Sequence, residues 1–351
     1  MATRSSWLQA KAQLTTEKEL YIGCFRDAQK NYGVALLNHN YKKIWSSLLL
    51  HRGHGIIFHP QQKHIISFPR RPGYEIVIHN PFTQQKTLIV QSLPGQHFYG
   101  HGVLSPDNQY LLATVNDYQH KKGLISVFDT HKNYELVNQL NTHGIGPHDI
   151  LFDSQNHIFV ANGGLFTKPS EGRKVLNLES MQSSIAQLDW PSGKCLKQYI
   201  SPFKKLSLRH MTINSGNIVA FAGQYQGSLD DEVPLVGFIQ EGMMKWLPMP
   251  DFSGHLFQQY IGSISYDISG QTLAATSPRG NQFILWADIE HTPSIETSHI
   301  IDVCGLCPTV ENHTFLATNG LGQCWEIASQ QEPLMKTIYP GLSWDNHLTK
   351  I

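Results

Sequence analysis

Histidines recur in this sequence at a regular interval, and imidazole is a side chain that binds metals. His54, His101 and His148 are separated by intervals of 47 residues, and glycines flank or precede each of them. Imidazole nitrogens are common ligands of zinc, copper and iron. A fold that brings these positions together, with two later histidines, His210 and His347, therefore forms a transition-metal site.

A cysteine and a set of cationic and amide residues extend this candidate site. Cys304 is predicted as a further metal ligand, because thiolate sulfur binds the same metals. A second set is predicted to bind a cofactor beside the histidines, namely Arg70, Arg71, Asn116, Asp117, Asn162, Arg209, Gln224 and Arg279. Arginines favour anions. The sequence thus predicts a transition metal, iron or copper above all, or an anionic chelate such as a metal–siderophore complex or haem.

The histidines also mark the starts of repeated units. Each unit contains an alternating apolar strand, a turn such as Ser269-Gly270, and further strand-like runs such as Tyr110 to Val115. Four strands in roughly 40–50 residues are typical of a propeller blade. Six units begin at His54, His101, His148, His210, Ser263 and Cys304.

A seventh blade is predicted from the two ends of the chain. Residues 19–50 contain three strand-like runs, and residues 346–349 contain one. The sequence therefore predicts an all-β fold, a single seven-bladed β-propeller over residues 19–351, whose first blade is closed by the C-terminal strand. Residues 1–18 are predicted to be disordered or tag-like. Residues 163–183 are predicted to form a long loop, and residues 252–260 a short helix.

Propeller geometry explains how distant residues converge on one site. The first strand of each blade lines the central channel, and its first residue lies at the rim of one face. The second strand returns, so its last residues emerge at the same face. His54, His101, His148, His210 and His347 belong to the first group of positions. The second group contains Arg70, Arg71, Asn116, Asp117, Asn162, Gln224 and Arg279.

Two other interpretations of these residues stay open. A Gly-His pair before a first strand can tie a blade together by hydrogen bonds, and the arginines can pair with carboxylates such as Asp117. The second of these interpretations is catalysis, with Asp117, Asp149 and His148 as acid and base groups of a lactonase-like or isomerase-like site. The motifs G-x-S-x-G, H-E-x-x-H and G-x-x-x-x-G-K do not occur in the sequence.

Composition excludes several classes of protein. The 351 residues include 27 Lys and Arg against 27 Asp and Glu, so the chain lacks the basic surplus typical of nucleic-acid binding. Because the sequence contains no run of 18 or more apolar residues, it is predicted not to span a membrane. Five cysteines are too few and too scattered for a disulfide framework. A monomer is predicted.

Short motifs along nearly the whole chain resemble one family. They include RGHG (52–55), FYGHG (98–102), GIGPHDIL (144–151), DVCG (302–305) and WDNHL (344–348). Their order and spacing resemble the domain-of-unknown-function family 1513. The resemblance implies an exported bacterial propeller in the periplasm, with a twin-arginine signal and a link to imelysin-type proteins of iron uptake. Residues 1–20 contain no twin-arginine signal.

Together these observations predict a periplasmic, non-enzymatic binding protein. We expect it to hold iron, copper or an anionic metal chelate at the mouth of the channel, with a role in iron acquisition. Two alternatives are a metal-dependent or lactonase-like enzyme and a scaffold for imelysin-like partners.

Overall fold

Short strands account for most of the described chain, which comprises residues 19–82, 87–172 and 174–351 of this computed structural model. Residues 1–18, predicted to be disordered or tag-like, lie outside the described residues. The strands contain four to nine residues, and successive side chains face opposite sides of a sheet. Residues at positive φ, such as Asn108 (φ 61°) and Gly270 (φ 74°), form turns between strands where the sequence predicts them.

The described strands form seven four-stranded antiparallel sheets. Blade A contains β1 (Leu20–Arg26), β2 (Tyr32–Asn38), β3 (Lys43–Leu49) and the last strand, β28 (Ser343–Lys350). Blade B contains β4 (Gly53–His59), β5 (His64–Pro69), β6 (Glu75–His79) and β7 (Leu88–Gln91). Blade C contains β8 (Gln96–Leu104), β9 (Tyr110–Asp117), β10 (Lys122–Asp129) and β11 (Glu135–Asn141). Blade D contains β12 (Pro147–Phe152), β13 (His157–Asn162), β14 (Ser184–Asp189) and β15 (Cys195–Ile200).

The remaining blades follow the same order along the chain. Blade E contains β16 (Leu206–Ile213), β17 (Val219–Tyr225), β18 (Val236–Gln240) and β19 (Met243–Trp246). Blade F contains β20 (Ser263–Tyr266), β21 (Thr272–Ser277), β22 (Gln282–Ala287) and β23 (Ser294–His299). Blade G contains β24 (Val303–Pro308), β25 (Thr314–Asn319), β26 (Gln323–Ala328) and β27 (Leu334–Ile338).

The innermost strand of every blade contacts the innermost strands of both neighbouring blades. Contacts run in the order β28, β4, β8, β12, β16, β20 and β24, and from β24 back to β28. The protein is a seven-bladed β-propeller, as the repeats predict, and its inner strands surround a central channel.

Blade A joins the two ends of the described chain. The C-terminal strand β28 pairs antiparallel with β1, in a register that places Trp344 opposite Phe25 and Leu348 opposite Gly23. Trp344 is 3% exposed and meets the Phe25 ring edge-on, with centroids 6.3 Å apart. Backbone hydrogen bonds and apolar packing therefore close the ring, and the predicted closure is confirmed.

Apolar side chains fill the spaces between adjacent sheets. In the largest cluster, Phe159 of blade D, Phe221 of blade E and Trp286 of blade F are buried together. The Trp286 indole donates a hydrogen bond to the carbonyl oxygen of Pro248 at 2.9 Å. Burying each large apolar side chain stabilises the fold by about 1.5–3 kcal/mol.

Two longer connections match the predictions from sequence. Residues 163–172 and 174–183 form a loop, and the regular elements of this described part are two 3₁₀ turns, Pro169–Glu171 and Leu178–Ser180. A four-residue helix, α1 (Ser253–Leu256), lies between blades E and F. Among the described residues, no helix is long and apolar enough to span a bilayer.

Candidate functional site

Irregular pairing positions the five histidines on their strands. In β12 the residue His148 has no partner on β13, because Pro147 pairs with Asn162 and Asp149 pairs with Ala161. In β4, β8, β16 and β28 the register likewise shifts at or beside His54, His101, His210 and His347. A bulge bends a strand and re-aims the side chain beside it. The bulges therefore turn the imidazoles into the channel.

Two glycines allow blades B and C to approach closely at this point. Gly100 has a φ of +115°, and a Cβ there would lie 2.7 Å from Cδ2 of His54. A Cβ on Gly55 would lie 2.5 Å from the carbonyl oxygen of Gly100. Since real Cβ atoms do not pack so closely, the neighbouring histidines reach these positions only because glycine occupies both sites.

The five imidazoles form one cluster in the channel, which we call the histidine cluster. For the ring pairs in contact, centroid distances run from 4.5 Å (His54 and His347) to 6.3 Å (His54 and His210). Two triads have ligand atoms within 4.8 Å of one another, and both contain His101. The first adds His54 and His148, and the second adds His210 and His347.

Carboxylates contact two of these rings at the Nδ1 atom. Nδ1 of His54 lies 3.3 Å from Oδ1 of Asp345, and Nδ1 of His101 lies 3.3 Å from Oδ1 of Asp149. A carboxylate at Nδ1 holds the proton on that atom and leaves the Nε2 lone pair for a metal. Asp345 also pairs with Arg52, and Asp149 accepts a backbone hydrogen bond from Met211 at 2.9 Å.

Several buried nitrogens in the cluster have no hydrogen-bond partner among the described residues. They are Nε2 of His101, both ring nitrogens of His148, Nδ1 of His210 and Nε2 of His347. A buried polar atom without a partner costs about 1–3 kcal/mol. The cluster therefore presents several buried nitrogens that are available to a ligand.

Burial keeps the imidazoles neutral. Burial, with the nearby His347 ring, lowers the pKa of His54 to about 3. Burial also lowers the pKa of His101, His148, His210 and His347 well below the ordinary value. At pH 7 the rings therefore carry free lone pairs, which is the state that binds metals.

The two supporting carboxyls respond to their surroundings in opposite ways. Burial raises the pKa of Asp149 to about 7, although backbone N–H groups of Met211 and Ile150 oppose this. Burial also acts to raise the pKa of Asp345, but His54 and Arg52 outweigh it and hold that pKa well below its usual range. Asp345 is therefore a permanent anion beside the cluster.

A cavity of about 220 Å³ lies against one side of the histidine cluster, and we call it the arginine cavity. His54, His148 and His210 form part of its wall. The cavity is also lined by four arginines and a glutamine from the predicted set, namely Arg70, Arg71, Arg209, Gln224 and Arg279, and by Tyr99, Tyr260 and Asn346. No aspartate or glutamate is among its described lining residues.

Aromatic rings hold two of these arginines in place. The Arg71 guanidinium lies 5.0 Å from the Tyr99 ring centroid and donates a hydrogen bond to the Tyr99 hydroxyl at 2.7 Å. The Arg279 guanidinium lies 4.3 Å from the Tyr260 ring centroid. These contacts pre-position the cations at the cavity.

Arg209 differs from the other arginines because it is buried, with 5% of its surface exposed. Its Nε donates a hydrogen bond to Oγ of Ser207 at 3.0 Å. Burial and the neighbouring Arg71 lower its pKa to about 10, so the side chain stays positive at pH 7.

The opposite side of the histidine cluster faces a second cavity of about 390 Å³ within the channel. His101, His210 and His347 line it, as does Asp149. The histidine cluster therefore separates two cavities, and each of the two triads includes rings from the wall of both.

Four residues predicted for the site lie elsewhere. Cys304 is buried with its thiol directed to the backbone oxygens of Trp344 and Asp345, at 3.5 and 3.3 Å, and is in neither triad. Burial raises the pKa of its thiol, so thiolate ligation is disfavoured. Its place in the repeat is that of the histidines, but the blade G bulge leaves its side chain in backbone contacts.

The other three exceptions are polar residues at the ends of second strands. The Asn116 amide lies 3.1 Å from Nε2 of His97, and the Asn162 amide donates to the carbonyl oxygen of Thr142 at 2.9 Å. Asp117 pairs with His120 at 2.8 Å. None of these three lines the arginine cavity. Each one has a local partner, although Oδ1 of Asn116 and Oδ1 of Asn162 have no hydrogen-bond partner among the described residues.

Sequence reasoning missed Asp345 as a partner of the site, and it assigned Asp149 only a catalytic role. Both carboxylates stand beside candidate ligands in the sequence, Asp345 in the run Asp-Asn-His and Asp149 directly after His148. That proximity is the available signal. This signal predicts contacts with His347 and His148, the neighbours in sequence. In the structure Asp345 instead contacts His54, and Asp149 contacts His101.

Comparisons with known proteins identify a family and a shared fold. The sequence pattern of the family described as "Protein of unknown function (DUF1513)" matches residues 48–351. The search of curated proteins gave no match. The hydrazine synthase of Kuenenia stuttgartiensis is similar in structure, with a TM-score of 0.65 and 12% identity over 88% of this chain and 95% of that chain.

A second solved structure is similar over an even larger share of both chains. A functionally unknown protein from Desulfotomaculum acetoxidans DSM 771 has a TM-score of 0.60 and 8% identity over 93% of this chain and 99% of that chain. At such identities the similarity is one of fold.

Proposed function

The chain belongs to the DUF1513 family, and we propose that it binds a transition-metal ion within the histidine cluster of its central channel. The supporting observation is the set of buried imidazole nitrogens without hydrogen-bond partners, gathered in triads within 4.8 Å. In a tetrahedral site with metal–nitrogen bonds of about 2.0–2.1 Å, ligand nitrogens lie roughly 3.4 Å apart. Metal binding at that spacing therefore requires the rings to rotate and move closer together.

The donor set suits several transition metals, and the order of intrinsic affinities favours copper. Neutral imidazole suits zinc, copper, iron and nickel, and intrinsic affinity among divalent ions is highest for copper. Availability in the cell then decides which ion is bound. We propose iron or copper, carried as an ion or as a small anionic chelate whose charge the arginine cavity balances. A cavity of about 220 Å³ is below the roughly 300–1,000 Å³ of drug-sized sites, so it favours a small chelate over haem.

The proposed setting is the bacterial periplasm, with a role in iron acquisition. The motif resemblance supports this setting, together with a link to imelysin-like partners. Cell fractionation tests the location. Growth of a deletion strain on limiting iron tests the role, and co-purification with an imelysin-like protein tests the partner.

Metal titration of the purified full chain tests the central proposal. His101 belongs to both triads, so His101→Ala is expected to weaken Cu²⁺ binding at least 100-fold, as measured by calorimetry. Electron paramagnetic resonance of the wild type is expected to show nitrogen ligands. His120→Ala is the matched control, because His120 is an exposed histidine that also pairs with an aspartate. If His101→Ala binds Cu²⁺ as tightly as the control while circular dichroism shows an intact fold, the proposal is wrong.

A metal-dependent enzyme is the second candidate. It is favoured by the cavities on both sides of the histidine cluster, since a metal held by three protein ligands keeps an open position for substrate. An acid–base mechanism through Asp117 is not supported, because Asp117 lies outside the cavity. Turnover of lactone or redox substrates that requires added metal and disappears in His101→Ala would establish this candidate.

A further inference from the structure

The arginine cavity contains positive charges that the described protein does not balance. Arg71, Arg209 and Arg279 line it, and none of them makes an ion pair with a described carboxylate. By contrast, Arg52 pairs with Asp345. A buried charge without a counter-ion destabilises a folded protein. Arg209 is 5% exposed, so this destabilisation applies to its charge.

The arrangement of the arginines suits carboxylate groups. Guanidinium groups bind carboxylates through two parallel hydrogen bonds. Tyr99 and Tyr260 already hold Arg71 and Arg279 in place. Several fixed cations around one space favour a ligand with more than one negative charge.

The size of the cavity sets the size of this ligand. Its volume of about 220 Å³ is below the roughly 300–1,000 Å³ of drug-sized sites, which favours a small ligand. A di- or tricarboxylate of four to six carbons matches this space.

The position of the cavity links the anion to the metal. His54, His148 and His210 line the same cavity as the arginines. A carboxylate held there lies next to the imidazole nitrogens and can donate an oxygen to an open coordination position. We propose that the arginine cavity binds a small polycarboxylate that is held by Arg71, Arg209 and Arg279 and completes the coordination of the metal. This inference rests on the proposed metal function.

Thermodynamic linkage makes the inference testable. If one anion contacts both the arginines and the metal, each ligand strengthens the binding of the other by the same factor. Succinate is a suitable probe, because it is a small dicarboxylate that chelates metals only weakly in water. Calorimetry on the full chain, with acetate at equal ionic strength as the monoanion control, is expected to show succinate binding at least tenfold more tightly with Cu²⁺ present. Arg209→Gln is expected to weaken succinate binding at least tenfold.

Matched variants separate the anion site from general effects. Arg26→Gln removes an exposed arginine outside the cavity and is expected to bind succinate like the wild type. If Arg209→Gln fails to fold, Arg279→Gln replaces it, because Arg279 is exposed.

The outcomes distinguish this inference from the proposed function. If Cu²⁺ binds but succinate has no effect, or binds Arg209→Gln as tightly as the wild type, the inference is overturned and the metal function stands. Phosphate binding more tightly than succinate would overturn the assignment to polycarboxylates. If Cu²⁺ does not bind at all, the proposed function fails and the linkage fails with it.

Discussion

Asp345 contacts both an arginine, Arg52, and a candidate metal ligand, His54. One of its carboxylate oxygens lies 3.3 Å from Nδ1 of His54, and the other pairs with Arg52. Arg52 thereby fixes the carboxylate, and the carboxylate fixes the orientation and tautomer of the imidazole. Two side chains that do not touch the proposed metal thus prepare one of its ligands.

Replacing this carboxylate is expected to weaken metal binding without removing a ligand. Asp345→Asn is expected to lower Cu²⁺ affinity 10- to 100-fold, because a neutral amide accepts a weaker hydrogen bond from Nδ1 of His54 and raises the basicity of that ring less than a carboxylate does. Calorimetric titration measures the change. Asp117→Asn alters a carboxylate–histidine pair outside the cavity and is expected to leave the affinity unchanged. Equal affinities in the two variants would show that Asp345 does not support the ligand.

At the scale of the strand, a bulge accompanies every histidine of the cluster. All five inner strands that carry one have an irregular register there. The inner strand β24 is also irregular at Cys304, which lies outside the cluster, whereas β20 pairs regularly along its length. Strict alternation would fix every side chain by its position in the strand. The irregularity allows one strand to serve both the sheet and the site.

The strand β28 closes the ring and carries His347, so its anchoring is expected to dominate stability. Leu348→Ala removes a side chain that is 6% exposed and is expected to cost about 2–5 kcal/mol of unfolding free energy. Leu334→Ala, at a position 55% exposed on the outer strand β27, is expected to change it by less than about 0.5 kcal/mol. Urea unfolding measures both. Similar losses in the two variants would contradict the importance of the closing strand.

At the scale of the whole molecule, the propeller gathers residues that are up to 293 positions apart into one cluster, from His54 to His347. Five of the blades, A to E, each contribute one of these side chains without a local motif. The same geometry removes these rings from water, which is the main reason their pKa values are lowered. Concentrating neutral imidazoles in one buried place therefore makes stability depend on pH.

Acidification is expected to destabilise the metal-free protein. The five imidazoles have lower pKa values in the folded state, so below about pH 6.5 the unfolded state binds more protons. Their contribution is fully present above that pH and is lost as the pH falls toward about 3, the value for His54. Asp149 has a pKa raised to about 7, so between about pH 3.9 and that value acidification stabilises the protein through this group. The five imidazoles outweigh this single carboxyl.

Urea unfolding at pH 7.5 and pH 5 measures this effect, and a loss of several kcal/mol is expected at the lower pH. The double variant His101→Ala with His148→Ala has fewer imidazoles to protonate and is expected to show a smaller loss. Stability that stays constant or rises on acidification would contradict the burial of neutral imidazoles.

The sequence by itself determined the architecture and the identity of the clustered histidines. Strand alternation and turn residues are local, and a 47-residue interval places equivalent residues at equivalent points of successive blades. The structure confirms the seven blades and the closure by β28. It also brings together His54, His101, His148, His210 and His347. Whether they bind a metal stays a prediction.

Only the tertiary structure decided which polar residues face the site. Arg70, Arg71, Arg209, Gln224 and Arg279 line the cavity, whereas Asn116, Asp117 and Asn162 occupy comparable positions and turn to local partners. The contact between Asp345 and His54 spans 291 residues. The direction of a side chain at a bulge or loop depends on hydrogen bonds to neighbouring strands and blades. The sequence of a single strand does not identify those partners, because they lie on other strands and blades.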